Sequence, residues 1–231
     1  MAQQYGPKIV TDGLVVSLDA ADKTSYPGSG TTWYDLSGNG LNGTLSVDTI
    51  GTVSSSLKTM AFDGKPSGNN NVINIAGVPA RIEDEAVTME LWVQINEAGW
   101  TGMVSQGSYT TGYTTYPNGN GWHVYIDADT SAELNTSGNY ATGSNGKSDW
   151  MLYCGTFEGG TLSAYSNGSL DGSSTSITAR VPATTTVQLG ADTSLAYYLK
   201  GHISTFRLYN RALSSKEVSQ NFNAQRSRFG V

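Results

Sequence analysis

Short runs in which apolar residues alternate with polar ones, each closed by glycine, asparagine or serine, constrain this chain more than any other feature. The clearest is residues 86–96, AVTMELWVQIN. Side chains on a strand point to alternate faces. Val87, Met89, Leu91, Val93 and Ile95 therefore face one way, and Thr88, Glu90, Trp92 and Gln94 the other. The expectation is a core face backed by a face that is wet or concave. Further strands are expected at 14–19, 58–63, 71–75, 101–106, 121–127, 131–135, 149–157, 161–166, 186–190 and 199–209. Many short strands separated by turn residues predict two stacked antiparallel sheets. Composition agrees: glycine supplies 28 of 231 residues, and only 14% are charged, which favours turns and strands over solvated helices. A β-sandwich of this length is one domain.

Alternation in 149–157 puts Trp150, Leu152 and Cys154 on one side and Met151, Tyr153 and Gly155 on the other. Cys154 is the chain's single cysteine, so no intramolecular disulfide can form, and it reads as a small core residue. Asn167 and Gly168 in YSNGSLDG supply the positive φ values of a tight hairpin turn. One helix is expected, near the C-terminus. Ser214 and Glu217 form a capping box, Leu213 can staple onto Val218, and Val218 and Phe222 share a face with Arg226 and Arg228 near the negative helix end. Such a helix would clip onto the sandwich. The tract 107–120, GSYTTGYTTYPNGN, is too polar for core and is expected to be an exposed loop suited to recognition.

Charge excludes one class of partner: 13 basic against 19 acidic residues leave a net charge of −6, with no footprint for phosphate backbones, so no nucleic acid is expected. The start MAQQYGPKIVTDG lacks a signal-peptide pattern, and no run of about 18 apolar residues occurs, so the expectation is synthesis in a cytoplasm and no membrane span. Nucleophilic and metal-hydrolase motifs are absent. The two histidines, His123 and His202, stand outside any G-x-S-x-G or H-E-x-x-H pattern, and DLSGNGLNG lacks the lysine and helix of a phosphate-binding loop.

Several stretches in order, TDGLVVSLDAADKTSYPGSGTTWYDLSGNGLNGTL, MAFDG, MELWVQI, DWMLYCGTFEGGTLSAYSNGSLDG and GHISTFRLYNRALSSKEVSQNFNAQRSRFG, resemble the laminin G-like branch of the concanavalin A-like lectin and glucanase superfamily. More narrowly, the chain is similar to stand-alone versions in virion structural proteins of tailed bacteriophages, which share starts such as GPKIVTDGLV. The resemblance implies an all-β, concanavalin A-like jelly-roll β-sandwich of two antiparallel sheets with one short C-terminal helix. Its boundaries are an N-terminal arm at 1–12, the domain at 13–225 and a C-terminal tail at 226–231, with arm and tail expected to dock on partners. Trp33, Tyr34 and Leu36 are expected to anchor the DLSGNGLNG loop, where Gly38, Gly40 and Gly43 permit the turns.

Glucanases of this superfamily carry E-x-D-x-E on one strand, placing acids about 5 to 5.5 Å apart. Here the corresponding positions read Glu90, Trp92 and Gln94, while Glu83, Asp84 and Glu85 are expected to form a solvated rim. One acid is left where hydrolysis needs two, so no enzymatic activity is expected. The resemblance implies a virion structural protein, a capsid decoration or neck or tail component, expected in multiple symmetric copies against other virion proteins. The alternative is a lectin-like adhesin for cell-surface glycans. Flat aromatic rings suit the C–H faces of sugars, and the richest grouping is Trp100, Tyr109, Tyr113, Tyr116, Trp122 and Tyr140 with Asn118 and Asn120. The resemblance also implies Ca²⁺ at the sandwich edge, with Asp35, Asn39 and Asn42 as ligands, seconded by Asp63 and Asp192. Against that stands a reading in which Asp35 and Asn39 only form side-chain turns. Ser204 stands where the family often has an acid.

Overall fold

A computed structural model describes residues 7–46, 57–64, 72–79, 86–96, 102–108, 111–118, 121–126, 149–175, 184–191 and 198–231. The strands are β1 (Leu14–Asp19), β2 (Thr32–Trp33), β3 (Gly43–Leu45), β4 (Met60–Asp63), β5 (Ile73–Ile75), β6 (Val87–Ile95), β7 (Val104–Ser108), β8 (Thr111–Asn118), β9 (Gly121–Ile126), β10 (Trp150–Glu158), β11 (Thr161–Ser166), β12 (Ser169–Ser174), β13 (Val187–Leu189) and β14 (Lys200–Tyr209). One helix, α1 (Ser215–Phe229), follows. They form two seven-stranded antiparallel sheets. One runs β1-β14-β6-β10-β11-β12, with β4 also on β14, and the other runs β2-β3-β5-β13-β7-β8-β9. The all-β jelly-roll expectation is met.

Between the sheets lies a core that includes Val16, Leu18, Trp33, Ile75, Met89, Leu91, Val93, Val104, Phe157, Leu189, Ile203, Phe206 and Leu208. Ile203 and Phe206 differ in parity, yet both face this core. A bulge between Ile203 and Thr205 resolves the conflict by inserting Ser204 into the β14–β6 ladder. At the same point the outer neighbour of β14 changes, from β4 along Lys200–Ile203 to β1 along Thr205–Tyr209.

The face of β6 opposite this core departs from the sequence reading. Thr88, Glu90 and Trp92 are fully buried rather than wet, because α1 lies across that side of the sheet. The helix begins with the expected box: the Ser214 hydroxyl accepts from Glu217 N, and the Glu217 carboxylate accepts from Ser214 N. It ends on Gly230 in the left-handed region at φ 76°. Leu213 and Val218 join Val10, Cys154, Tyr165 and Tyr209 in one cluster beneath it. Cys154 is buried as expected, though under the helix and not between the sheets. Phe229 stacks on Trp92 at 4.0 Å between ring centroids and Phe222 at 5.7 Å, a geometry worth about 0.5–1.5 kcal/mol per pair beyond burial.

The terminal expectations need correction. Residues 226–229 are helix, not tail, and Phe229 is buried against Trp92, Trp150 and Leu152. Val10, assigned to an arm that docks on partners, is instead buried within the chain, where its N–H donates to Asn221 Oδ1 and its carbonyl accepts from the Tyr209 hydroxyl. The expected Asn167–Gly168 turn is present, at φ 49° and 79°, and a Cβ on Gly168 would come within 2.9 Å of Phe222, so this hairpin also seats the helix. Among the described residues no helix is long and apolar enough to cross a membrane.

Candidate functional site

Antiparallel register places Arg207 and Cys154 directly beside Glu90, on β14 and β10. Arg207 Nη1 donates to Glu90 Oε1 at 2.6 Å, and Asn221 Nδ2, reaching down from α1, donates to Oε2 at 3.0 Å. The same Asn221 Nδ2 lies 3.0 Å from the Tyr209 hydroxyl, which donates to Val10 O at 3.1 Å. One network therefore joins the N-terminal segment, two central strands and the helix. Burial, reinforced by the Glu90 charge, pushes the Tyr209 hydroxyl and the Cys154 thiol above their ordinary ranges. A cationic guanidinium and a thiol, not a second carboxylate, flank Glu90. The arrangement neutralises the acid and leaves no room for a sugar between it and α1. Arg207, Tyr209 and Asn221 were missed from sequence. Arg207 in the apolar run FRLY was the available signal, since a cation there needs a buried partner.

At the sheet margin, the DLSGNGLNG loop covers the free edge of β1. Asp35 Oδ1 accepts from Ser17 N at 2.8 Å and Ser37 N at 2.9 Å, and Oδ2 accepts from Ser37 Oγ at 2.6 Å and Leu41 N at 3.2 Å. Leu36 N donates to Ser17 O, and Asn39 Nδ2 donates to Val15 O. An exposed edge would otherwise offer these groups to another strand. Asn42 Oδ1 accepts from Asp35 N at 2.9 Å.

The implied calcium ion does not fit this donor set. Both Asp35 oxygens and the Asn42 carbonyl already accept from N–H or O–H groups, and Asn39 presents its amide hydrogens to carbonyls. Asp63 ends β4, which pairs with the Lys200–Ile203 end of β14, beyond the stretch that β1 and its loop occupy, and Asp192 lies outside the described residues. No cluster of three or more His, Cys, Asp or Glu able to hold a metal occurs among the described residues. Of the expected loop anchors, Trp33 is fully buried, whereas Tyr34 and Leu36 are exposed. Ser204 takes no acidic role. Its hydroxyl meets Arg228 Nη2, while Arg228 Nη1 pairs with Asp19 at 2.8 Å.

Within 107–120 the expected loop is instead largely strand. Its threonines and tyrosines suit a pleated backbone, and Thr111–Asn118 pairs with β7 on one side and β9 on the other. The β8–β9 register sets Tyr113 opposite Ile126, Tyr116 opposite His123, Pro117 opposite Trp122 and Asn118 opposite Gly121. Four of the expected sugar-contacting residues, Tyr113, Tyr116, Asn118 and Trp122, thus share one hairpin at the end of the second sheet. Trp100, Tyr109, Asn120 and Tyr140 lie outside the described residues, as do Glu83, Asp84 and Glu85.

Residues 67–219 match the concanavalin A-like lectin/glucanases superfamily. The chain belongs to this superfamily. Solved structures of similar fold include the ligand-binding domain of botulinum neurotoxin serotype D in complex with N-acetylneuraminic acid, at TM-score 0.64 and 15% identity over 94% of this chain and 52% of that one. The binding domain of Paraclostridial Mosquitocidal Protein 1 aligns at TM-score 0.63 and 16% identity, over 93% and 52%. Trypanosoma rangeli sialidase in complex with the inhibitor DANA aligns at TM-score 0.64 and 16% identity, over 95% and 34%. The chain spans about half the length of the toxin domains. At such identities the shared property is the fold. No curated protein matches the sequence.

Proposed function

We propose that this member of the superfamily is a non-enzymatic recognition module that contacts cell-surface glycans through the β8–β9 hairpin while mounted, in several symmetric copies, on the virion of a tailed phage. The observation that carries the non-enzymatic part is Glu90. Its carboxylate is spent on Arg207 and Asn221 beneath a helix, where glycoside hydrolysis needs two acids flanking a bound sugar. The glycan part is supported by tyrosine, tryptophan and asparagine positions on one hairpin, and by a structure of similar fold, the botulinum neurotoxin serotype D ligand-binding domain in complex with N-acetylneuraminic acid. Placement on a virion, against other virion proteins, rests on the resemblance of the N-terminal stretch to phage structural proteins.

Two experiments separate the parts of this reading. Imaging an intact virion, with the chain fitted into the map, should find repeated copies with β8 and β9 pointing outward; a map in which that hairpin is buried against neighbours argues for assembly alone. Incubation of the purified chain with β-glucans should release no reducing sugar, and release would overturn the non-enzymatic assignment.

A further inference from the structure

Among the described residues, five side-chain atoms between α1 and the sheet it covers are buried without a hydrogen-bond partner: Trp92 Nε1, Thr205 Oγ1, Arg207 Nε, Gln225 Oε1 and Arg228 Nε. Topology puts them in one patch. Thr205 is the cross-strand partner of Trp92, and Arg207 follows two residues along on the same face. Phe222 and Phe229 both stack on Trp92, and Gln225 lies on the helical stripe between them, three residues after the first and four before the second. One turn earlier, Asn221 reaches the Glu90 that holds Arg207, and three residues later Arg228 reaches Ser204, the neighbour of Thr205.

The chemistry of the patch selects its ligand. Charges cancel in pairs, Arg207 with Glu90 and Arg228 with Asp19, so nothing attracts an anion. Three N–H donors, one hydroxyl and one carbonyl oxygen remain, a mixture that calls for a group able to donate and accept at once. Leaving such groups dry is costly, and buried water commonly makes about three bonds to polar atoms that lack other partners. We propose that the seam between α1 and the sheet is a hydration site, holding ordered water that bridges Trp92 Nε1, Thr205 Oγ1 and Gln225 Oε1, with the Arg207 and Arg228 Nε hydrogens as further donors. The joint that seals the Glu90 face is then a wet one, whatever the chain recognises elsewhere.

A crystal structure of the full chain, at a resolution that shows ordered water, should contain a peak about 2.7–3.2 Å from both Trp92 Nε1 and Thr205 Oγ1. A map in which these atoms meet only carbon, or bond directly to one another, overturns the proposal. Melting of two variants gives an independent reading. Thr205→Val should lower the melting temperature by about 2–4 °C while Thr205→Ser keeps the wild-type value. A Thr205→Val protein that melts at or above wild type contradicts the proposal, because deleting a hydroxyl from a dry site relieves its desolvation cost.

Discussion

Glu90 Oε1 and Arg207 Nη1 lie 2.6 Å apart, with side-chain exposures of 0% and 2%, on the sheet face that α1 covers. Two charges taken out of bulk water are stable there because they pair with each other and Asn221 completes the carboxylate. Glu90→Ala should therefore strand the Arg207 cation and destabilise the fold by about 3–5 kcal/mol, read from urea unfolding. Glu90→Gln keeps an acceptor for Arg207 and should cost less. Equal losses for the two would mean that the charge contributes nothing beyond the hydrogen bond.

Phe229 gives a second prediction. Its ring lies between Trp92 and Trp150, so Phe229→Ala should cost about 3 kcal/mol, within the range for large-to-small aromatic substitutions in a core. Deleting residues 226–231 should cost more, because the Arg228–Asp19 pair goes with the ring. Thermal melting checks both. A truncated chain that melts like wild type would restore the reading of this segment as a tail outside the fold.

Asp35 tests the role of the glycine-rich loop. One of its four accepted hydrogen bonds, from Ser17 N, ties the loop to the β1 edge, and the other three, from Ser37 and Leu41, shape the loop. Asp35→Ala should lower stability by about 2–3 kcal/mol and promote self-association through the uncovered strand, seen by light scattering. A chelator should leave the wild-type melting temperature unchanged. A fall on chelation, reversed by added calcium, would show a bound ion stabilising the native state by mass action and would contradict the turn-forming assignment.

At the start of α1, two hydrogen bonds from Arg211, with further ones from Ser214, hold the Glu217 carboxyl at about 2, down from its ordinary 4.5. A carboxyl depressed on folding contributes stability that is complete above the unfolded value and is lost as the pH falls from about 4.5 towards 2. Wild type should lose stability across that window. Glu217→Gln should start lower at neutral pH and show a flatter acid limb in urea titrations at a series of pH values. Parallel limbs for the two proteins would sink the assignment.

The two-sheet fold, the C-terminal helix with its Ser214–Glu217 box and the Asn167–Gly168 turn were legible in the sequence because each is set by residues within a few positions of one another. What failed had causes beyond that range. The bulge at Ser204 shifts the parity of β14, which hid Arg207 as the partner of Glu90. Alternation along β6 showed two faces but could not show that a helix more than a hundred residues later covers the polar one. The tail reading failed for the same reason, since Trp92 is what holds Phe229. Polarity in 107–120 suggested a loop, although threonine and tyrosine also favour strands when neighbours pair with them.

The central claim is that sugar is met at the β8–β9 hairpin and not over Glu90. Binding of the purified chain to a glycan array, compared with Trp122→Ala and Glu90→Gln, addresses it most directly. The account predicts glycan signal for the wild type, its loss in Trp122→Ala and its retention in Glu90→Gln. No signal above background for the wild type, or a signal that survives Trp122→Ala and disappears in a folded Glu90→Gln protein, would contradict it.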